Sequence, residues 1–199
     1  KGWCTDNALG ITSDGVQIHG GMGFIEETGA SQHLRDARIT TIYEGTTGIQ
    51  SNDLVGRKVG RDRGAAMGAL LADMAREIEA LEAQDPGVTL AKRAAAEGVA
   101  SLREATAAIL EAMSKSPDRA YAVSVPYLRL CGYVMGGWLL ARSADIAARK
   151  LAAGDADRDF LAGKIVSARF YAEQVLPQAL CLARVVTGGA GSVVEVDAA

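Results

Sequence analysis

One stretch, Ile42-Tyr43-Glu44-Gly45-Thr46-Thr47-Gly48-Ile49-Gln50, holds the residues best suited to chemistry. A carboxylate stands between an aromatic residue and a glycine, directly before a helix start. Thr47 and Gln50 have the threonine-x-x-glutamine spacing of a capping box. There the threonine oxygen takes an orphan backbone N–H and the glutamine reaches back to the cap. This cap would put Glu44 just outside the positive end of a helix. Gly45 would let a ligand approach the backbone closely. On its own the stretch also reads as a capped helix with an exposed glutamate before it, because short motifs match by chance.

A second stretch, Gln17-Ile18-His19-Gly20-Gly21-Met22-Gly23-Phe24, lies upstream. Adjacent glycines after a helix leave backbone N–H groups free, which suits an anionic pyrophosphate. The glycine spacing is not that of a dinucleotide-fold fingerprint, and no strand precedes it. Alone it also reads as a helix C-cap plus a turn. His19 has no second histidine, cysteine or serine in a triad-like pattern, so it is a poor catalyst. Arg35, Asp36 and Arg38 read as a structural ion-pair set, and Glu26 and Glu27 as solvated turn residues.

Taken together, QIHGGMGF, RDARI and IYEGT resemble the C-terminal helical domain of the flavin-dependent acyl-CoA dehydrogenases over about residues 1–59. The wording HGGMGFIEETG and YEGTTGIQSNDLVGRK looks most like the large bacterial branch. That branch includes enzymes of 3-(methylthio)propanoyl-CoA and carries an extra helical domain. The resemblance implies that Glu44 is the base for the α-proton of an acyl-CoA and that its N–H helps polarise the thioester carbonyl. Tyr43 and Gly45 would contact substrate. Thr46, Thr47 and Gly48 would lie against FAD. Gln17, Ile18, His19, Gly20 and Gly21 would touch the FAD of a neighbouring subunit. It also implies an electron-transfer flavoprotein as partner and a homo-oligomer, dimeric or tetrameric. An acyl-CoA oxidase on the same scaffold, or a non-catalytic helical assembly module, are the alternative readings.

The elements that must position these residues read as helices throughout. One runs from a cap at Thr5 or Asp6 to about His19, where Gly20-Gly21 stops it. A turn spans Met22 to Thr28. A short helix covers about Ala30 to Arg38, followed by an extended stretch from Ile39 to Tyr43. A third helix runs from Thr47 to about Val59. After Gly60 four long amphipathic segments follow, about Ala65 to Gln84, Thr89 to Lys115, Pro126 to Ala153 and Asp157 to Thr187. Pro177 should kink the last. The tail from Ser192 to Ala199 reads as loose. The expected fold class is therefore all-α. Residues 1–60 form a C-terminal piece of the dehydrogenase helical domain, and residues 61–199 an up-and-down four-helix bundle.

Composition sets the outer bounds. The chain has 199 residues, 49% of them hydrophobic but only 5% aromatic, which favours closely packed helices over a β-sandwich. A net charge of −3 with interspersed signs gives no electrostatic case for nucleic acid or an anionic membrane. The most apolar run, Tyr127 to Ala141, is too short and too charged to span a bilayer. Cys4, Cys131 and Cys181 are odd in number and far apart, with no CxxC and no Cys/His cluster. They read as reduced thiols in a cytoplasmic protein without a zinc site, Cys131 and Cys181 being core residues. Met67, Met74, Met113 and Met135 also read as core, and Arg142, Arg149 and Lys150 as a solvated face, with contact to a CoA phosphate as the alternative the resemblance allows. Tyr121, Tyr127, Tyr133 and Trp138 hint at an interface. The chain opens Lys1-Gly2-Trp3-Cys4 without a methionine, so a segment of a longer protein is expected, inactive when isolated.

Overall fold

The computed structural model of the chain describes residues 1–196 and shows helices with no strand among them. Helix α1 spans Gly2–Ile18, α2 Gly21–Phe24 and α3 Ala30–Thr40. Helix α4, Thr47–Asp53, runs on as a π-helical segment, Leu54–Gly60. The bundle comprises α5 (Ala65–Glu79), α6 (Pro86–Lys115), α7 (Pro117–Ala122) and α8 (Ser124–Ala152), then α9 (Arg158–Phe170) and α10 (Pro177–Gly188), joined by a π-helical turn, Tyr171–Val175. A short α11, Gly191–Val194, follows.

The bundle forms because its apolar residues recur at three- and four-residue steps. On α6 these are Val88, Ala91, Ala95, Val99, Leu102, Ala105 and Ile109, all buried. On α5 they are Met67, Leu71, Met74 and Ile78. Alanines such as Ala105, Ala141, Ala144 and Ala179 are fully buried, which lets the helix axes approach closely. One polar pair sits inside this core. Thr106 donates to the Leu102 carbonyl at 2.7 Å, so the Tyr127 hydroxyl, 2.9 Å away, is the donor to Thr106.

Several boundaries differ from the sequence reading, each for a local reason. Helix α1 begins at Gly2, and Asp6 lies inside it because its carboxylate is engaged elsewhere. Met22 to Thr28 is not a plain turn but α2 and a 3₁₀ turn, Glu26–Thr28. Ile39 to Tyr43 is not extended. The Ile42 and Tyr43 amides both donate to the Ile39 carbonyl, at 3.0 and 3.2 Å, which winds the chain past the helix end. Helix α6 starts three residues before Thr89. Asp85 caps it, accepting from Gly87 N–H at 2.7 Å, and Pro86 takes the first helical position. Pro177 acts through a π turn, in which Leu176 N–H reaches back to the Tyr171 carbonyl at 2.8 Å. In the tail, Ser192 to Val194 are helical, whereas residues 197–199 lie outside the described residues. Cys131 is buried as expected, but Cys181 is exposed, on the outward side of α10. Met113 and Met135 are only partly buried against the core that holds Met67 and Met74.

Helix α8 is the element shared by the N-terminal part and the bundle. Trp3 meets Tyr133 edge-on, ring centroids 4.6 Å apart, and lies against Gly132, where a Cβ would collide with the indole. Gly2 packs on Leu128. Val55 and Val59 of the π-helical segment are fully buried in the bundle core. Of the aromatic residues, Tyr133 thus packs against the N-terminal part, Tyr121 lies beside Gly56, Tyr127 is core and Trp138 donates to Glu77 at 3.1 Å.

Candidate functional site

Glu44 sits on a tight left-handed turn. Its φ is 54° and that of Gly45 is 90°, so two successive residues leave the region ordinary side chains prefer. The turn is pinned on both sides. Lys1 Nζ donates to the Gly45 carbonyl at 2.6 Å, and Gln50 Nε2 donates to the Glu44 carbonyl at 3.1 Å. Gly45 has no room for a side chain, since a Cβ would stand 2.7 Å from Gln50 Nε2. The consequence is a carboxylate held away from the protein, exposed beside Tyr43, which is 50% exposed.

The cap is shifted by one residue from the expected capping box. Thr46 is the N-cap, its hydroxyl 3.5 Å from Ile49 N–H. Thr47 instead donates to Asp6 Oδ1 at 2.6 Å, and Gln50 reaches the Glu44 carbonyl rather than the cap. Two adjacent threonines compete for the cap, and Asp6, across the fold on α1, draws the second one away.

Thr46, Thr47 and Gly48 border a cleft of about 530 Å³ whose other walls are Asp6, Leu9, Arg38, Thr41, Val125 and Arg129. This volume lies within the range of ligand sites, roughly 300–1,000 Å³. The wall includes two guanidiniums, hydroxyls and apolar surface. Such a donor set suits part of an anionic dinucleotide. Sequence reasoning missed Arg129, because nothing local marks it and it lies far along the chain on α8. Arg38 was singled out as an ion-pair residue, yet it donates to Thr41 at 2.6 Å. Arg35 pairs with Glu26 at 2.6 Å, not with Asp36.

Gln17, Ile18, His19, Gly20 and Gly21 are all exposed and do not join this cleft. They cluster at the far end of α1, whose 17 residues separate them from Lys1 and the Glu44 turn by about 25 Å. His19 Nδ1 lies 2.8 Å from the Gly15 carbonyl, which can only accept, so Nδ1 carries the proton and Nε2 faces outward. One chain therefore presents two separate sets of candidate cofactor residues. Large apolar side chains lie exposed around both, among them Ile11, Ile18, Met22, Phe24, Ile42 and Ile49. On the bundle, Arg142 pairs with Glu77 and Arg149 with Asp145.

Comparison with known proteins bears on this arrangement. A family model described as acyl-CoA dehydrogenase, C-terminal domain, matches residues 1–60. A second, described as acetyl-CoA dehydrogenase C-terminal like, matches residues 70–197. The chain belongs to the acyl-CoA dehydrogenase family. It is 49% identical over 180 residues to a 3-methylmercaptopropionyl-CoA dehydrogenase of Ruegeria pomeroyi, covering 88% of this chain and 30% of that protein. It is 31% identical over 207 residues to a broad-specificity linear acyl-CoA dehydrogenase, FadE5, of Mycobacterium tuberculosis, covering 100% of this chain and 34% of that protein. A bovine mitochondrial short-chain specific acyl-CoA dehydrogenase matches at 54% over 46 residues, 23% of this chain and 11% of that protein. The chain thus spans about a third of the length of the two bacterial dehydrogenases. Among the described residues, no helix is long and apolar enough to cross a membrane.

Proposed function

We propose that this chain supplies the base and part of the cofactor site of a flavin-dependent dehydrogenase that converts an acyl-CoA thioester to its trans-2-enoyl-CoA. The observation that carries the reading is the Glu44 turn. It presents a carboxylate on a strained, doubly pinned loop beside a cleft, in a chain of this family. The Glu44 carboxylate takes the α-proton of the thioester. Its backbone N–H, on the same turn, helps polarise the thioester carbonyl. When bound, FAD supplies the acceptor for the hydride that leaves Cβ. Thr46, Thr47 and Gly48 hold the cofactor along the cleft. Tyr43 and Gly45 line the acyl end.

The fit to a dinucleotide rests on the cleft's two arginines, its hydroxyls and the apolar Leu9 and Val125. The distance between the Glu44 turn and the Gln17-to-Gly21 segment supports a homo-oligomer. In it the second segment serves the cofactor of a neighbouring subunit, and the exposed apolar residues around it are covered. The R. pomeroyi relative makes 3-methylmercaptopropionyl-CoA the first substrate to try. An electron-transfer flavoprotein is the proposed acceptor of electrons. Three cysteines outside any disulfide suit a reducing compartment, the cytoplasm.

Glu44→Gln in the full-length protein tests the assignment. The amide keeps size and hydrogen bonding but cannot take a proton. The variant is expected to bind flavin normally and to lose substrate-dependent bleaching of its absorbance. Near-normal turnover would remove Glu44 from the mechanism.

A further inference from the structure

The cleft beside Thr46–Gly48 is not built by the N-terminal part alone. Arg129 and Val125 reach it from α8, in the C-terminal bundle. The Arg129 guanidinium lies 3.5 Å from Asp6 Oδ2, too long for a tight hydrogen bond, while Asp6 Oδ1 accepts from Thr47 at 2.6 Å. Asp6 therefore links Thr47 to Arg129 without consuming the arginine's donors. The Arg129 side chain is 52% exposed. Arg38, also among the lining residues, donates one N–H to Thr41 and is otherwise exposed. Asp6 is the single acidic residue among the lining residues, against two arginines.

We propose that this cleft is a phosphate subsite for an adenine nucleotide, and that the bundle contributes to it through Arg129, acting with Arg38. Two guanidiniums with unused planar donors match phosphate oxygens better than they match any neutral group. Leu9 and Val125 provide apolar surface for the nucleoside beside them. The inference rests on the dehydrogenase reading, in which two ligands carry such a phosphate, the FAD cofactor and the CoA of the substrate. It gives the bundle a role in ligand binding through Arg129, a residue the sequence does not single out.

The test uses the full-length protein and two probes. Deflavinated protein is titrated with FAD by flavin fluorescence, and flavin-loaded protein is titrated with CoA by calorimetry. Arg129→Ala is expected to weaken one of the two about 10- to 100-fold, the loss of one charge-assisted hydrogen bond. The ligand that responds identifies the source of the phosphate. Arg142→Ala, which removes an ion-paired arginine from the same helix, should leave both unchanged. Asp6→Asn separates ligand binding from simple scaffolding. The amide still accepts from Thr47 but no longer offsets Arg129, so the same ligand should bind as tightly or more tightly. Equal weakening by Asp6→Asn and Arg129→Ala would overturn the proposal, as would Kd values for both ligands within twofold of wild type in Arg129→Ala. If the wild-type protein binds neither FAD nor CoA, the dehydrogenase reading itself fails.

Discussion

The hydroxyls of Ser51 and Ser124 lie 3.0 Å apart, both residues buried. Ser51 commits its proton to the Gly48 carbonyl at 2.8 Å, so Ser124 is the donor, divided between Ser51 and Asn52 Oδ1 at 2.8 Å. This contact ties the helix behind the Glu44 turn to the first turn of α8. Four and eight residues after Ser51, Val55 and Val59 enter the bundle core. We propose residues 61–199 as an autonomous bundle, but one lacking those two side chains. Expressed alone, residues 61–199 should melt cooperatively as a helical protein. Residues 47–199 should be more stable by about 3 kcal/mol, from two valines at roughly 1.5 kcal/mol or more each. Equal denaturant midpoints for the two would show that Val55 and Val59 add nothing to the core.

What the sequence made legible was mostly periodic. Leu102, Ala105 and Ile109 announce one buried helix face by spacing alone, and α6 carries that face inward. Pro86 and Pro117 punctuate the sequence, and each occupies a first helical turn, where a missing N–H costs nothing. Cys181 fell within an apolar run but on the wrong side of the helix by rotation, which composition does not resolve. At the site, Glu44 on a loop ahead of a helix was legible from Gly45 and the threonines. The cap was not, because Thr46 and Thr47 are equivalent locally and only Asp6, 41 positions away, distinguishes them. Arg129 was invisible for the same reason.

Gly45 should be the least replaceable residue of the turn. Alanine there must hold φ near 90° and bring its Cβ against Gln50 Nε2. A left-handed alanine costs about 1–2 kcal/mol. The turn is expected to shift rather than absorb that strain, displacing the Glu44 carboxylate. A misplacement of 1 Å is enough to lose roughly 100-fold in kcat. Steady-state kinetics of Gly45→Ala in the full-length protein check this. Adding Gln50→Ala relieves the collision but also frees the Glu44 carbonyl, so activity should not return. Full recovery in the double variant would assign the loss to the collision alone.

The three thiols should differ in reactivity. Cys4 and Cys181 are exposed, whereas Cys131 is buried on α8. Burial pushes the Cys131 thiol up to about 12, so its thiolate population near neutral pH is negligible. A chromogenic disulfide reagent should titrate two thiols in this folded chain and a third only after denaturation. Rapid modification of Cys131 without unfolding would mean that α8 opens locally.

Asp145 should set the acid limit of the bundle. Its side chain is almost wholly buried, and Oδ1 accepts from both Glu82 and Ala83 N–H at 2.9 Å, closing the chain after α5. Oδ2 faces Arg149 at 2.8 Å. Burial alone would raise its pKa. The Ala83 and Glu82 amides, then Arg149, outweigh that and hold it below the ordinary aspartate value. A depressed folded-state pKa stabilises the protein above the unfolded value, about 3.9, and the contribution is lost as pH falls through the folded value. Asp145→Ala should cost about 3 kcal/mol at neutral pH, because it strands two backbone donors. Arg149→Ala should cost less than about 1 kcal/mol, since that partner is largely solvated. Denaturant unfolding of both variants from pH 7 to pH 3 checks the ranking. The gap between wild type and Asp145→Ala should hold down to about pH 4 and narrow below it. A gap that widens with acid would mean that the carboxylate is destabilised by its burial, and that the two amides do not outweigh it.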